Sequence, residues 1–156
     1  MTGFEGVRVR PATADDMVSV ASLQMTAFAD RWTVDAIRRL AGLAGAVVLM
    51  AERAADATPV GYLIGQVITD EAEIHSLAVA ETARRRGVGR QLLAAFEGLA
   101  AGQGAASVVL EVAEDDPAAK RLYDTAGYAV IARRQGYYRI GRAEPVDAEV
   151  RRRTLR

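Results

Sequence analysis

The chain of 156 residues contains no cysteine, one histidine (His75) and one lysine (Lys120). The absence of cysteine excludes disulfides, thiolate metal sites and a cysteine nucleophile. A single histidine excludes a multi-histidine metal site, so no metal is expected. The net charge is zero, because 20 basic residues balance 20 acidic ones. This balance argues against general binding to nucleic acid or to a membrane surface.

Long apolar runs are also missing. The longest, Ala44 to Ala51, contains a glycine and is far too short to span a bilayer. Met1 to Arg10 has no apolar core of a signal peptide, so we expect a cytoplasmic protein. The length predicts a single domain, residues 1–156, that is large enough to bury a core without disulfides.

The hydrophobic periodicity predicts a strand, two helices, a run of strands, a helix, a strand, a helix and further strands. This order indicates a mixed α/β fold with a central, mostly antiparallel sheet. The long helix is expected from Val88 to about Ala101, with an apolar stripe of Leu92, Leu93, Phe96 and Leu99. Val146 to Leu155 is expected to form a last, polar edge strand.

The most informative segment lies where this long helix begins. A helix N-terminus carries partial positive charge and usually has a Ser, Thr, Asp or Asn cap. Here it has arginines and glycines instead. Exposed N–H groups, glycines that permit close approach and flanking guanidinium groups predict a phosphate-binding site. Its residues are Arg84, Arg85, Arg86, Gly87, Val88, Gly89 and Arg90.

This segment matches neither of two common phosphate-binding motifs. No Gly-Lys-Ser/Thr follows, which excludes a P-loop, and a third glycine at the dinucleotide-binding spacing is missing. A pyrophosphate fits the segment better than a nucleoside triphosphate with magnesium. The other interpretation is a solvated charge run before an ordinary helix.

Two further residues are candidates for acid–base chemistry. Glu111 lies within an apolar run, so either its pKa is raised or it lies at a cleft, and a carboxylate with a raised pKa is a candidate general base. Tyr123 lies on a predicted helix that begins near Pro117, and a phenol can donate a proton to a departing thiolate. The alternatives are a glutamate on the wet face of a strand and a tyrosine that only packs.

Taken together, these residues resemble the GNAT family of acetyl-CoA-dependent N-acetyltransferases, and the resemblance covers nearly the whole chain. Arg84–Gly89 fits the family motif Q/R-x-x-G-x-G/A. The chain looks most like the subgroup that acetylates the N-terminal alanine of a small-subunit ribosomal protein. The segments that carry this likeness are Asp70–Ile74, Leu77–Val79, Leu110–Val112, Ala118–Ala119 with Leu122–Tyr123, and Arg133–Arg134 with Tyr137–Tyr138, together with Ala27–Phe28 and Trp32.

The resemblance implies a GNAT fold, with a twisted sheet of about six or seven strands flanked by about four helices. It implies that the acetyl group of acetyl-CoA passes directly to a primary amine, with Glu111 as base and Tyr123 as acid. Leu77, Ala78 and Val79 would contact the pantetheine arm of acetyl-CoA, and Asp116 stands where an asparagine usually contacts the cofactor. Ser76 and Arg139 stand where the subgroup usually has asparagine and proline.

The partners implied are acetyl-CoA and an amine acceptor, with no nucleic acid, membrane or metal, in a monomer or homodimer. Three alternatives remain open at this point. The first is that the acceptor is a small amine, and the second is that the chain is a non-catalytic module that binds coenzyme A. The third is that the chain binds nucleic acid through Arg151–Arg153.

Overall fold

The computed structural model describes residues 6–155, so residues 1–5 and 156 of the predicted domain lie outside the described range. Its centre is a seven-stranded sheet with the strand order β1-β2-β3-β4-β5-β7-β6. Neighbouring strands are antiparallel except for β4 and β5, which are parallel. The strands are β1 (Val7–Pro11), β2 (Ala46–Arg53), β3 (Pro59–Ile68), β4 (Glu71–Val79), β5 (Ser107–Ala113), β6 (Ala129–Tyr138) and β7 (Val146–Thr154).

Four α-helices cover the two faces of the sheet, as the sequence predicts. They are α1 (Met17–Ala27), α2 (Val34–Ala41), α3 (Val88–Gly102) and α4 (Pro117–Thr125). One core lies between the sheet and the helices α3 and α4, and includes Phe96 and Tyr123. The other lies between the sheet and the helices α1 and α2, and includes Ile37 and Tyr62. No helix within the described residues is long and apolar enough to cross a membrane.

Two details of the sequence prediction are wrong. The strand β7 is not an edge strand, because it lies between β5 and β6. The apolar stripe of α3 ends at Ala100, which is fully buried, whereas Leu99 is 42% exposed. The reason for the second error is geometric: Leu99 fits the helical period, but it lies at the edge of the face that Leu92, Leu93, Phe96 and Ala100 bury, so it is partly exposed.

A bulge in β4 sets the geometry of the site described below. Ile64 pairs with Ser76 and Gly65 pairs with Ile74, so His75 is an extra residue without a partner on β3. Ala72 and Ile74, before the bulge, contribute to the core under α3. Ala78, after it, contributes to the core under α1 and α2. The extra residue therefore reverses which side chains of β4 face each helix pair.

Candidate active site

The strands β4 and β5 separate immediately before the bulge. Their pairing runs from Glu71 with Ser107 to Ile74 with Leu110 and ends there. Both strands continue, β4 to Val79 and β5 to Ala113. A bulged strand bends and twists more strongly than a regular one, which explains why pairing stops at this position. We call the space between Ser76–Val79 and Glu111–Ala113 the β4–β5 gap.

The three residues predicted to contact the pantetheine arm line this gap. Leu77, Ala78 and Val79 pair with β3 on one side, and on the other side no described strand pairs with them. Their outward backbone groups therefore lie along the gap in the extended geometry that binds a linear amide chain. The Val79 carbonyl accepts a hydrogen bond from Arg84 Nε at 3.2 Å, which ties the following loop to the strand.

The predicted phosphate site lies at the end of β4. Arg84–Arg86, which we call the arginine loop, is exposed and leads directly into α3. Arg85 and Gly87 have left-handed φ angles of 63° and 78°. Such residues help to form the concave backbone N–H arrangements that bind anions. The positive φ of Gly87 is the conformation that a side chain disfavours, which explains the glycine there.

The first turn of α3 has no cap. Gly87 occupies the N-cap position without a side-chain hydrogen bond, and no acidic residue lies in the first turn. The first helical bond joins Gln91 N–H to the Gly87 carbonyl, so the N–H groups of residues 88–90 have no acceptor among the described residues. Gly89 permits close packing, since a Cβ there would lie 3.0 Å from Leu122 of α4. This helix start can bind an anion.

Glu111 is the first residue of β5 beyond its pairing with β4. Leu110 and Val112 face the core under α3, so the Glu111 side chain lies on the opposite face of the sheet. Its carboxylate is 26% exposed and forms an ion pair with Arg134 of β6 at 2.9 Å. Glu111 therefore lies at the opening between two strands, and its role as a general base stays a prediction.

Tyr123 lies on the other face of the sheet. Its ring is only 6% exposed and packs edge-on against Tyr128, with ring centroids 5.8 Å apart. No described residue hydrogen-bonds to its hydroxyl. Burial raises the pKa of the Tyr123 phenol above its usual range, and the charges of Asp116 and Tyr138 raise it further. The phenol is therefore protonated at neutral pH and can act as a donor.

Two other tyrosines interact electrostatically with Tyr123, and one of them also with Glu111. Burial raises the pKa of Tyr138 to about 12, and the Glu111 carboxylate contributes to this rise. Tyr62 is fully buried and its hydroxyl lies 2.8 Å from Ser76 Oγ at the edge of the β4–β5 gap. Both tyrosines act electrostatically on Tyr123. Glu111 and Tyr123 thus lie on opposite faces of the sheet, and Tyr138 interacts electrostatically with both.

Asp116 has a structural role at this site. It is the N-cap of α4, and its side chain accepts a hydrogen bond from Ala119 N–H at 3.1 Å. Its contact with a cofactor stays a prediction. The cap matters to the site because α4 carries Tyr123.

The sequence prediction assigns no part in acid–base chemistry to Tyr62, Arg134 or Arg151. Arg134 lies beside Glu111, and Arg151 is buried beneath α4. The alternation of β7 gives no signal for the burial of Arg151, because Arg151 alternates with the apolar residues of the strand and shares its face with Glu149. On a predicted edge strand such a charged face is expected to be solvated.

The cap at Asp116 yields a direct test of its structural role. Asp116→Ala should lower the free energy of unfolding by about 0.5–2 kcal/mol, because it leaves an N–H group of α4 without an acceptor. Asp116→Asn should change it by less than about 0.5 kcal/mol, since asparagine caps as well as aspartate. Urea denaturation monitored by circular dichroism measures both values. Equal losses in the two variants would contradict the capping role.

Comparison with known proteins identifies the family of this chain. The family model described as "Acetyltransferase (GNAT) family" matches residues 17–128. A bS18-alanine N-acetyltransferase of Haemophilus ducreyi is 32% identical over 79 residues, which cover 51% of this chain and 54% of the relative. An N-alpha-acetyltransferase RimI of Mycobacterium tuberculosis is 35% identical over 91 residues, covering 56% of each chain. The chain thus spans about half the length of the curated relatives it matches.

A solved structure shows the same fold over a longer range. The ribosomal-protein-S18-alanine N-acetyltransferase from Escherichia coli superposes with a TM-score of 0.88 at 23% identity. The superposition covers 96% of this chain and 94% of that structure. The family match and the shared fold together lead to one conclusion: this chain belongs to the GNAT family of acetyltransferases.

Proposed function

We propose that this protein transfers the acetyl group of acetyl-CoA to a primary amine, and that the amine is the α-amino group at a protein N-terminus. The observation that carries the proposal is that Glu111 lies at the β4–β5 gap while Tyr123 lies on the opposite face of the sheet, on the helix α4 that follows β5. Membership of the GNAT family, which is acetyl-CoA-dependent, supports the choice of donor.

The donor is bound along one continuous surface. Its pyrophosphate lies on the uncapped N-terminus of α3, where the N–H groups of residues 88–90 donate to it. Arg85, Arg86 and Arg90 supply positive charge around it. Its pantetheine arm follows Leu77–Val79 into the β4–β5 gap, which brings the thioester near Glu111 and Tyr123.

The reaction is a direct attack without an acyl-enzyme, consistent with a chain that has no cysteine. The amine nitrogen forms a bond to the thioester carbon, and the carbon–sulfur bond breaks. Glu111 takes the proton from the amine, directly or through a water molecule. The Tyr123 hydroxyl hydrogen-bonds to the departing sulfur and supplies its proton.

An α-amino acceptor fits this chemistry better than a lysine side chain. Its reference pKa is about 7.7–8.0, against about 10.4 for lysine, so a weaker base suffices to generate the free amine. One curated relative is named as an alanine N-acetyltransferase of a ribosomal protein and the other as an N-alpha-acetyltransferase. For this chain we propose the same acceptor class, together with a single domain over residues 1–156.

The acceptor proposal predicts a clear preference in a competition assay. An alanine-led peptide should be acetylated with a kcat/KM at least about tenfold higher than the same peptide carrying a blocked N-terminus and one free lysine. Mass spectrometry of the products, including a panel of polyamines and amino acids, measures the preference. Faster acetylation of a small amine than of the peptide would assign the chain to the alternative acceptor class.

The acid–base roles predict that substitution lowers turnover without weakening donor binding. Glu111→Gln and Tyr123→Phe should each lower kcat by about 10²–10⁴-fold, because each removes one proton transfer. Isothermal titration should give unchanged affinity for acetyl-CoA. Glu114→Gln is the matched control for Glu111→Gln, since Glu114 lies outside the β4–β5 gap and pairs with Arg133. Unchanged kcat in the two test variants would contradict the roles.

The pyrophosphate site predicts a dependence on the structure of the donor. Replacing both Arg85 and Arg86 with alanine should weaken acetyl-CoA binding by about tenfold or more, because charge-assisted hydrogen bonds to phosphate are lost. The KM for acetyl-pantetheine, which has no pyrophosphate, should not change. Arg39→Ala, an exposed arginine on α2, is the control. Equal losses with both donors would show that the arginine loop acts on the fold instead.

A further inference from the structure

Arg151 is a buried cation directly beneath α4. It lies on β7, and its side chain is only 3% exposed. Its Nε and Nη2 donate to Glu149 Oε1 at 3.0 and 2.6 Å. Its Nη1 contacts Asp124 Oδ1 at 2.5 Å and the carbonyls of Lys120 and Tyr128 at 3.4 and 3.5 Å. A guanidinium with this many acceptors has one well-defined position.

The groups on α4 and at Tyr128 that accept hydrogen bonds from Arg151 lie close to Tyr123 in the sequence. Lys120 precedes Tyr123 by three residues on α4, and Asp124 follows it directly. Tyr128 packs against the Tyr123 ring, and its N–H donates to the Tyr123 carbonyl at 2.9 Å. A single side chain therefore holds the helical turn before Tyr123, the residue after it and its aromatic neighbour.

The partner of Arg151 is itself buried and shared. Glu149 is 3% exposed and also lies 3.8 Å from Lys120 Nζ and 3.5 Å from Arg133 Nη2. Buried ion pairs of this kind often contribute no more stability than an apolar pair of similar size. Stability alone therefore does not explain why a cation lies at this position, and its effect on the neighbouring phenol supplies a reason.

The charge of Arg151 opposes the effect of burial on Tyr123. Burial raises the pKa of the phenol, and the Arg151 charge lowers it. In the proposed reaction the phenol oxygen gains negative charge as its proton moves to sulfur. A fixed positive charge close by stabilises that developing charge, and does so strongly because the surroundings exclude water.

We propose that Arg151 is a positioning residue for the reaction. Its guanidinium fixes the α4 segment that carries Tyr123 and stabilises the negative charge that develops on the phenol oxygen. This inference rests on the proposed function, since it assigns Arg151 a role through Tyr123 in acetyl transfer.

A double-mutant cycle with Arg151→Met and Tyr123→Phe tests the proposal. Arg151→Met should lower kcat by about 5- to 100-fold when Tyr123 is present, and should cause no further loss in the Tyr123→Phe background. The KM for acetyl-CoA should stay unchanged throughout. Arg151→Lys keeps the charge but not the paired donors, so it should restore part of kcat.

Two further variants separate this role from a loss of folding. The double variant Glu149→Leu with Arg151→Met replaces the buried ion pair with apolar side chains, so it should fold while kcat stays low. Arg153→Met is the matched control, because Arg153 lies on the same strand and forms an ion pair with Glu97 of α3 instead of α4. This control should keep the kcat of the unaltered protein.

The outcomes distinguish the two proposals. If Arg151→Met lowers kcat by the same factor with Tyr123 intact and in the Tyr123→Phe background, the role of Arg151 is overturned and the proposed function stays intact. Full kcat in the Glu149→Leu, Arg151→Met variant would also overturn the role of Arg151 and leave the proposed function intact. An unaltered protein that binds acetyl-CoA and acetylates no amine would overturn the proposed function, and the role of Arg151 with it.

Discussion

The separation of β4 and β5 is the constraint on which the rest of the site depends. Two parallel neighbours in the middle of a sheet normally pair along their shared length, yet here pairing ends at Ile74 and Leu110. The bulge at His75 bends β4 at that point and turns its later side chains to the opposite face. Without this separation the backbone of Leu77–Val79 would pair with β5. Glu111 would then lie in a continuous sheet with no gap beside it.

The N-termini of α3 and α4 are similar in position but differ in capping, and this difference gives them different roles. Both helices begin after a central strand, and the two pack together where Gly89 meets Leu122. Asp116 caps α4, so its N–H groups are satisfied within the protein. Among residues 6–155 no side chain caps α3, and arginines surround its first turn. The positive end of α3 is therefore available to an anion, whereas α4 is a fixed support for Tyr123.

Features that depend on residues close together in the sequence could be predicted, whereas features that depend on pairing between distant strands could not. The start of α3, the start of α4 near Pro117 and the strand around Glu111 follow from short-range patterns, and these elements lie where the sequence predicts them. The edge position predicted for β7 is wrong because strand order depends on long-range pairing, which local alternation does not specify. The same error conceals Arg151, since its burial follows from β7 lying between β5 and β6. The pairing of Arg134 with Glu111 joins two distant strands and is likewise inaccessible to local patterns.

We propose that acetyl-CoA enters the β4–β5 gap with its thioester between Glu111 and Tyr123. A crystal structure of the unaltered protein with acetyl-CoA tests it most directly. We expect the pyrophosphate on the first turn of α3 and the thioester sulfur within hydrogen-bond reach of the Tyr123 hydroxyl, about 3–3.5 Å. A thioester bound outside the gap, or a Tyr123 hydroxyl that faces away from the sulfur, would contradict the account.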